Sequence, residues 1–391
     1  MLLAAARTTA FKVVNARKVF YALTPLVGAF NSGDVIGRAL AGLEMGTCNV
    51  APMFFCVPNN SSGRPILDFP RASDIGREMQ LHLRNNQSET WTPGNFGFLD
   101  VSYGTNSQKN LKLGLNTAAA GCFKSSFDQT TETGSRAPEG KSLNTRLDFF
   151  SSPIKASDCD FASGDFCPSE NVTKNWVNVQ IVSNKPLAQA NAATCASTAT
   201  GSWQISSSVT GLPNPGYNDD ASFSGPMGDG NWSASSWLTT NHPGHALSEI
   251  PDLNDDSNIS RYEAYEWELS SPNTLLATRT VRKDLALRKN GNYDVTLYCA
   301  YPRPQQAPAW HADTANKDRR MLTVGAVNCT DDPPNGHTDI RIIRWVDLFL
   351  VKPVNVGSDT DFMTEVKGVA TRPNGDSGFQ YYGRKKAVLI R

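Results

Sequence analysis

The chain has 391 residues, of which 39% are hydrophobic, so it is long and apolar enough to bury a packed core in one or two domains. Lysine plus arginine equals aspartate plus glutamate at 37 each, which argues against nucleic acid or an anionic membrane surface as the partner. Charged residues make up only 19%, whereas glycine (30) and proline (23) are plentiful. This composition favours a turn-rich, β-rich architecture and argues against a disordered chain.

Near the N-terminus the apolar runs are short. The first eleven residues, MLLAAARTTAF, lack the basic region of a signal peptide. The run from Phe20 to Phe30 is about half of the roughly 20 residues that a membrane helix needs. We therefore expect no membrane span within this sequence.

Three helices are predicted from apolar spacing and capping residues. The first covers residues 33–45, the second Ser73–Leu83 and the third Gln108–Ala120. Residues Phe123–Glu139 and Ser183–Ser224 are rich in turn formers and lack periodicity, so they are predicted to be loops.

Strand patterns are clearest in the last third of the chain, preceded by one alternating segment at Asn175–Val182. The linkers between them include DDPPNG and RPNGDSG, turn chemistry that suits antiparallel pairing. The predicted strands are Tyr293–Tyr301, Arg320–Cys329, Asp339–Val351, Phe362–Ala370 and Lys385–Ile390. An antiparallel sheet near the C-terminus is therefore expected.

Eight cysteines are present, an even number. Cys48 and Cys56 enclose seven residues, as do Cys159 and Cys167, whereas a zinc-binding pair is usually separated by two to four. Disulfides in an oxidising compartment are the favoured interpretation, with free buried thiols or a metal site as alternatives. The cysteines left for two further bridges, of open connectivity, are Cys122, Cys195, Cys299 and Cys329.

One acidic segment, Asp252–Glu263, has the oxygen-ligand spacing of a calcium-binding EF-hand loop. The residues at the ligand positions are Asp252, Asn254, Asp256, Asn258, Ser260 and Glu263. Ser257 stands where such loops place glycine, and Pro251 precedes the loop where a helix should end. Calcium is therefore the one candidate cofactor, and an acidic, solvated turn is the alternative.

Other motifs are weaker. GDSG (375–378) is similar to a serine-protease nucleophile segment but lacks the context of a catalytic triad, and GSRAPEGKS (134–142) has one residue too many for a P-loop. His242 and His245 flank a Pro-Gly pair that prevents the helical alignment of two zinc ligands. The carboxylates of residues 263–268 alternate with aromatic residues, which favours a strand with one solvated face over a sugar site. No catalytic residue is predicted, and we expect the protein not to be an enzyme.

Several segments resemble, in the same order, motifs of the TadG-like proteins of the bacterial Tad (Flp) pilus assembly system. They are Cys48–Asn59 (CNVAPMFFCVPN), Trp91–Asp100 (WTPGNFGFLD), Lys141–Phe150, Met227–Trp232, Ser260–Leu269, Asp318–Cys329 and Asp347–Val354. The resemblance runs from about residue 33 to the C-terminus. It implies a β-rich extracytoplasmic body behind an N-terminal membrane helix, and that helix is missing from this sequence.

The shared motifs have the character of fold determinants rather than binding residues. The resemblance implies that Asn144 and Arg146 tie down a turn by hydrogen bonds and a charge pair. Trp91, Gly94, Asn95 and Gly97 are expected to shape another turn.

The sequence as a whole predicts an α+β, β-rich fold with antiparallel sheets in its C-terminal part, a few short helices and long disulfide-stapled loops. Residues 1–45 are expected to follow the missing helix, and 46–391 to form the body, loop-rich between 123 and 260. The expected function is a non-enzymatic role in Tad pilus assembly, anchoring or adhesion at the periplasmic or outer surface, with other Tad pilus proteins as partners. The alternatives are a secreted carbohydrate-binding or carbohydrate-active protein and a cytoplasmic protein with reduced thiols.

Overall fold

Strands dominate the described part of the protein. The computed structural model describes residues 10–20, 32–48, 50–83, 90–100, 107–116, 123–124, 128–132, 137–160, 165–254, 257–305, 318–356, 360–370 and 380–390. The first nine strands are β1 Ala10–Phe20, β2 Ser32–Cys48, β3 Met53–Cys56, β4 Glu78–Leu83, β5 Asn95–Phe98, β6 Phe123–Lys124, β7 Asp128–Thr130, β8 Trp176–Lys185 and β9 Ser202–Ile205. The others are β10 Phe223–Ser224, β11 Met227–Gly228, β12 Arg279–Leu287, β13 Tyr293–Ala300, β14 Met321–Val327, β15 Asp339–Leu350, β16 Asn355–Val356, β17 Thr360–Val369 and β18 Gln380–Ile390.

The helices in these ranges are short. The α-helices are α1 Ser107–Asn116, α2 Ala137–Gly140, α3 Leu187–Ala192, α4 Ala234–Asn241, α5 Arg261–Ser270 and α6 Pro272–Leu275. Single 3-10 turns cover Ala72–Asp74, Ala156–Asp158, Ser206–Ser208 and Leu247–Glu249, and a longer 3-10 helix covers Lys141–Leu147. The β-rich fold class predicted from composition is confirmed. None of the helices described is long and apolar enough to cross a membrane.

Six strands form a closed sheet. Their order is β4, β5, β3, β14, β15 and β17, and β17 returns to pair with β4. Two of the contacts are parallel, β4 with β5 and β3 with β14, and the other four are antiparallel. Closure pairs both edges of each of these strands, so none of the six has a free edge. All four residues of β3, MFFC, are buried.

The turn predicted around Trp91 lies at the entry to β5. Gly94 has a φ of +83°, a left-handed conformation that favours glycine. A Cβ on Gly97 would approach the Phe54 ring to 2.6 Å, so only glycine fits beneath that ring. The Oδ1 of Asn95 accepts a hydrogen bond from the Thr92 amide at 2.6 Å, which closes the turn.

A second sheet, in the order β12, β13, β8 and β9, is antiparallel throughout. One of its faces buries Val295, Leu297 and Cys299 against the residues around helix α3. The strand predicted at Asn175–Val182 is confirmed as β8, and the predicted strand at Tyr293–Tyr301 as β13.

The third sheet contains the long strands β1, β2 and β18, with β6 paired to β2. The helix predicted for residues 33–45 is therefore wrong, because this segment pairs with β1 on one side and β18 on the other. Its glycines at 33, 37 and 42 would each cost a helix about 1 kcal/mol, a signal that the apolar spacing concealed. The predicted boundary between residues 45 and 46 falls inside β2.

Two further secondary-structure predictions are wrong. The helix predicted at Ser73–Leu83 is a 3-10 turn followed by β4, and the strand predicted for residues 263–268 is part of α5. In both cases the side chains pack against partners distant in sequence, which overrides local propensity. The third predicted helix is confirmed as α1 over Ser107–Asn116, and its last four residues lie outside the described ranges.

The two predicted loops contain regular structure. Strands β6 and β7 and the start of α2 fall in Phe123–Glu139, and α3, β9 and β10 fall in Ser183–Ser224. The remaining predicted strands, in the last third of the chain, are all confirmed as β14, β15, β17 and β18.

Candidate functional site

Four arginines within the motif segments, Arg146, Arg261, Arg319 and Arg320, are each no more than 6% exposed. A guanidinium stays charged in a protein, so burial requires acceptors for its N–H groups. For three of them the acceptors are backbone carbonyl groups: Leu115 and Arg319 for Arg146, Cys167 and Asn116 for Arg319, and Leu350, Val351 and Thr173 for Arg320. Burial lowers the pKa of Arg319 to about 10. These arginines act as internal crosslinks between loops and strands.

Asn144 and Arg146 were expected to tie down a turn by hydrogen bonds and a charge pair. The structure shows the hydrogen bonds, and they go to backbone groups. Asn144 donates to the Val354 carbonyl at 3.0 Å and accepts from the Val354 amide at 2.7 Å. Arg146 donates to the carbonyl oxygens of Leu115 and Arg319, both at 2.6 Å. Backbone carbonyl groups, rather than a carboxylate, therefore take its shortest hydrogen bonds.

The fourth arginine, Arg261, lies at the start of α5 among three buried carboxylates. Its guanidinium is 2.7 Å from Asp220, 3.2 Å from Glu78 and 3.3 Å from Glu365. All four side chains are at most 1% exposed. This cluster, which we call the Arg261 cluster, joins α5 and residues 218–231 to the outer face of the closed sheet.

Each member of the Arg261 cluster is placed by local structure. Glu78 and Glu365 come from β4 and β17, at positions that alternate with core residues such as Met79 and Val366. Glu365 also accepts hydrogen bonds from the first two amides of α5, at 2.8 and 3.0 Å, as a negative group at a helix N-terminus should. Asp220 accepts from the amides of Glu78 and Gly230.

Burial sets the protonation chemistry of this cluster. It raises the pKa of Glu78 to about 7, although the positive charge of Arg261 works in the opposite direction. Burial also raises the pKa of Glu365, again against the charge of Arg261. The pKa of Arg261 is raised, because its carboxylate neighbours outweigh the effect of its own burial.

A second buried network surrounds Glu268 on α5. Its Oε1 lies 2.7 Å from Nε2 of His242, and its Oε2 accepts from Tyr217 at 2.8 Å and Asn171 at 2.6 Å. Burial alone would raise the pKa of Glu268, but the hydrogen bonds from His242 and Asn171 and nearby positive charge lower it. Burial, together with Glu268, raises the pKa of Tyr217 well above its usual range.

The Glu268 network is closed to solvent. The His242 side chain is 3% exposed, and its ring packs edge-on against Trp237 and Trp267, with centroids 5.2 and 5.0 Å away. His245 instead pairs at the surface with Glu249, at 2.7 Å. A histidine and carboxylate in this arrangement could exchange a proton, but a substrate would have no path to them.

In the candidate calcium loop, the Glu263 carboxylate accepts hydrogen bonds from the backbone amides of Leu253, Asn254 and Ser260, at 2.7 to 3.1 Å. The side chain of Ser260 in turn caps α5. Asp252 accepts from the Ser257 amide at 2.8 Å. The loop is thus closed by its own backbone.

The structure describes one further candidate ligand, Asn258, but not Asp256. Asn258 donates to the Gly230 carbonyl at 3.4 Å, and Asp256 lies outside the described residues. No group of three or more His, Cys, Asp and Glu side chains positioned to hold a metal ion occurs within the described ranges. Calcium binding is therefore untested, and the hydrogen bonds to Glu263 favour the alternative, an acidic turn.

Beside this loop lies an open depression of about 650 Å³, between the start of α4 and residues 247–259. Its polar lining comes from Asn231, Ser233, Ser235, Ser248, Asp252, Ser257 and Asn258. Ser233 and Ser257 on its wall both have positive φ, at 57° and 61°, a conformation uncommon for residues other than glycine. The depression offers hydroxyl, amide and carboxylate groups without an aromatic platform.

Three disulfides are present among the described side chains: Cys56–Cys329, Cys159–Cys167 and Cys195–Cys299. The predicted Cys159–Cys167 pair is confirmed. The pairing of Cys48 with Cys56 is wrong, because β3 and β14 are parallel neighbours that place Cys56 opposite Val327, close to Cys329. The side chain of Cys48 and all of Cys122 lie outside what the structure describes. Disulfides of this kind are typical of an oxidising, extracytoplasmic compartment.

The other sequence motifs acquire no chemical role. Residues 375–378 and the first three residues of GSRAPEGKS lie outside the described residues, and the rest of that segment forms α2 and the start of the following 3-10 helix. His242 and His245 are separated into the buried network and the surface pair described above.

No protein-family model, curated protein or solved structure matches this chain.

The sequence interpretation missed Glu78, Asp220 and Glu365. A signal was present only for Glu365, because in FMTEV the apolar Met363 shares its face of the strand, where a charge is costly unless it is paired. Glu78 gives no such signal, since in EMQLHL it alternates with Gln80 and His82 as on a solvated face. The identity of the partner had no signal, because Glu78 and Arg261 are 183 residues apart in sequence.

Proposed function

We propose that this protein is a non-enzymatic component of a bacterial cell envelope that serves Tad pilus assembly, anchoring or surface adhesion. The observation that carries the proposal is the collinear set of TadG-like motifs, together with what those motifs do in the fold. Arg146, Arg261, Arg319 and Arg320 all belong to motif segments and all are buried crosslinks. A set of residues that builds one particular core is what a shared family fold requires.

The buried charges support a structural role. The carboxylates of the Arg261 cluster and of Glu268 are at most 1% exposed and bonded to neighbouring groups, so they are not positioned to meet a substrate. The disulfides support a location outside the cytoplasm, periplasmic or at the cell surface. Under this proposal the partners are other Tad pilus proteins, and an N-terminal membrane helix supplies the anchor.

The test is deletion of the gene in the bacterium that encodes it, followed by complementation. We expect deletion to reduce surface pili, counted by electron microscopy, or attachment to a surface, and the intact gene to restore them. A complementing gene with Arg261→Met should fail to restore them, whereas Arg288→Met, at an exposed ion pair, should succeed. Normal pilus number and attachment in the deletion strain would contradict the proposal.

The second candidate is a secreted carbohydrate-binding or carbohydrate-active protein. The depression beside α4 favours it, because its hydroxyl and amide groups could hydrogen-bond a sugar. A glycan array probed with the purified protein tests it. Saturable binding that Asn231→Ala abolishes would favour this candidate, and an array without binding would count against it.

A further inference from the structure

Two glutamates face each other inside the seam between the closed sheet and α5. Glu78 on β4 and Glu365 on β17 are directly opposite in the antiparallel register, and both are buried. Like charges at such cross-strand positions repel, and burial strengthens the repulsion because little water is present to screen it. The fold must therefore neutralise at least part of this charge.

The described neighbours neutralise only part of it. Arg261 supplies one positive charge against three carboxylates, those of Glu78, Asp220 and Glu365. If all were ionised, the Arg261 cluster would hold a net charge of −2 in a site closed to water. One bound proton would halve that excess.

The other charged groups that face the seam have partners of their own. Lys352 is 2.6 Å from Asp219, and Arg77 bonds Asp74 and the Gly228 carbonyl. On β17, Lys367 places its ammonium 4.1 Å from the centre of the Tyr262 ring. The charge imbalance of the cluster therefore persists when the surrounding elements are included.

The hydrogen bonds single out one oxygen atom as the proton's position. Five of the six carboxylate oxygens in the cluster accept a hydrogen bond: both of Asp220, both of Glu365 and Oε2 of Glu78. Oε1 of Glu78 is buried without a hydrogen-bond partner. A proton can therefore bind to Oε1 of Glu78 without breaking an existing hydrogen bond, which is not true of the other five oxygens.

We propose that Glu78 carries a proton on Oε1 under mildly acidic conditions, and that loss of this proton loosens the seam joining α5 and residues 218–231 to the closed sheet. The fold then contains a pH-sensitive latch. The raised pKa of Glu78, about 7, agrees with this geometry. Since α5 and residues 218–231 overlap two of the TadG-like motifs, Ser260–Leu269 and Met227–Trp232, the latch would control surfaces built by those segments, whichever partner they meet.

The pH dependence has a defined sign. The pKa of Glu78 is higher in the folded protein, about 7, than its ordinary value of 4.5, so the folded state holds the proton more tightly than the unfolded chain does. The stabilisation is complete below pH 4.5 and is lost as the pH rises to about 7. Over that window the unfolding equilibrium constant should rise by up to about tenfold per pH unit.

Glu78→Gln tests the latch, because glutamine is uncharged and close in shape to the protonated acid. We expect the ratio of the wild-type to the variant unfolding constant, from denaturant titrations, to climb with pH between 4.5 and 7 and then level off. Glu139→Gln, at another buried glutamate outside the cluster, is the control and should keep the wild-type pH profile. A Glu78→Gln profile parallel to that of the wild type would overturn the proposal.

Two measurements on the wild-type protein keep the test decisive if the variant does not fold. Infrared spectra should contain the carbonyl band of a buried carboxylic acid at pH 5.5 and lose it by pH 8.5, two conditions chosen about 1.5 units on either side of the expected midpoint. Hydrogen exchange, corrected for its intrinsic pH dependence, should show lower protection of the Arg261 and Tyr262 amides at the higher pH. Constant protection together with an unchanged carbonyl region would overturn the proposal.

Discussion

Asn144 and Val354, which are 210 residues apart in sequence, exchange two hydrogen bonds. The side-chain amide of Asn144 both donates to and accepts from the backbone of Val354, as a residue of a neighbouring antiparallel strand would. The pair ties the 3-10 helix Lys141–Leu147 to the segment after β15, and both residues are buried. One side chain thereby satisfies two backbone groups that would otherwise be left without partners.

Asn144→Ala should lower the free energy of unfolding by about 3 kcal/mol, because it leaves the amide and the carbonyl of Val354 buried and unsatisfied. Urea titration followed by tryptophan fluorescence measures this. Asn290→Ala, which removes exposed side-chain hydrogen bonds with Asn184 and Asn292, is the control and should change stability by less than about 0.5 kcal/mol. Equal effects at the two positions would contradict the role of Asn144.

Removing the Cys56–Cys329 disulfide by a double change to alanine should cost roughly 3 to 5 kcal/mol, because the bond closes a very long loop and limits the unfolded chain. The two cysteines are 273 residues apart. The Cys159–Cys167 bond spans only 8, so its double alanine variant should lose roughly 2 to 3 kcal/mol. Denaturant titration of both variants checks the order, and a larger loss for the shorter loop would contradict it.

The three disulfides lead to a prediction about the redox compartment of the protein. In a native, unreduced sample they should not react with a thiol reagent. Quantitative labelling in denaturant, followed by mass spectrometry of the peptides, measures each position. Labelling of all six would instead support the alternative of a cytoplasmic protein with reduced thiols.

Glu268→Gln should destabilise the protein at pH 7 by roughly 3 kcal/mol, because it breaks a buried pair with His242. The pKa of Glu268 is lowered in the fold, so the stability it contributes is present above its ordinary value and is lost as the pH falls through the folded-state value. The difference between wild type and variant should therefore shrink in acid.

The matched control for that experiment is Glu249→Gln. Glu249 pairs with His245 at the same distance, 2.7 Å, but on the surface, where solvent screens the pair, and no measurable loss is expected. Thermal unfolding at pH 3, 5 and 7 compares the variants. A Glu268→Gln defect that grows as the pH falls would contradict the assigned sign.

Calcium titration tests the 252–263 loop. Because Glu263 already accepts hydrogen bonds from three loop amides, calcium would have to displace them, and we expect neither heat in calorimetry nor a shift in melting temperature. Saturable heat that disappears in Asp252→Asn would instead establish a calcium site. Asp284→Asn, at an exposed ion pair outside the loop, is the control.

The errors in predicting the fold have a common cause. Residues 33–45 and 73–83 have apolar spacing that suits a helix, yet both form strands because distant segments pair with them: β18 with β2, and β17 with β4. Residues 263–268 alternate as a strand would, yet they form α5, whose aromatic side chains pack against Phe349 of β15. The apolar spacing of a segment indicates which of its side chains will be buried. The segments that pack against it decide whether it forms a helix or a strand.

The candidate site could be predicted only in part. The strand pattern around Glu365 indicates that this glutamate needs a partner, but the pattern around Glu78 does not, and nothing local identifies Arg261 as the shared partner. The same limit explains the wrong Cys48–Cys56 pairing, because spacing along the chain does not reveal that Cys56 and Cys329 meet across neighbouring parallel strands.

By itself the sequence determined a β-rich, disulfide-bonded protein with antiparallel strands in its last third, since composition, cysteine number and strand periodicity all act through short-range chemistry. Only the tertiary structure decided which strands close the sheet, which cysteines pair and where the buried charges meet. Those outcomes depend on side chains far apart in the chain, such as Glu78 and Arg261, which come into contact only when the apolar strands between them have found their places in the core.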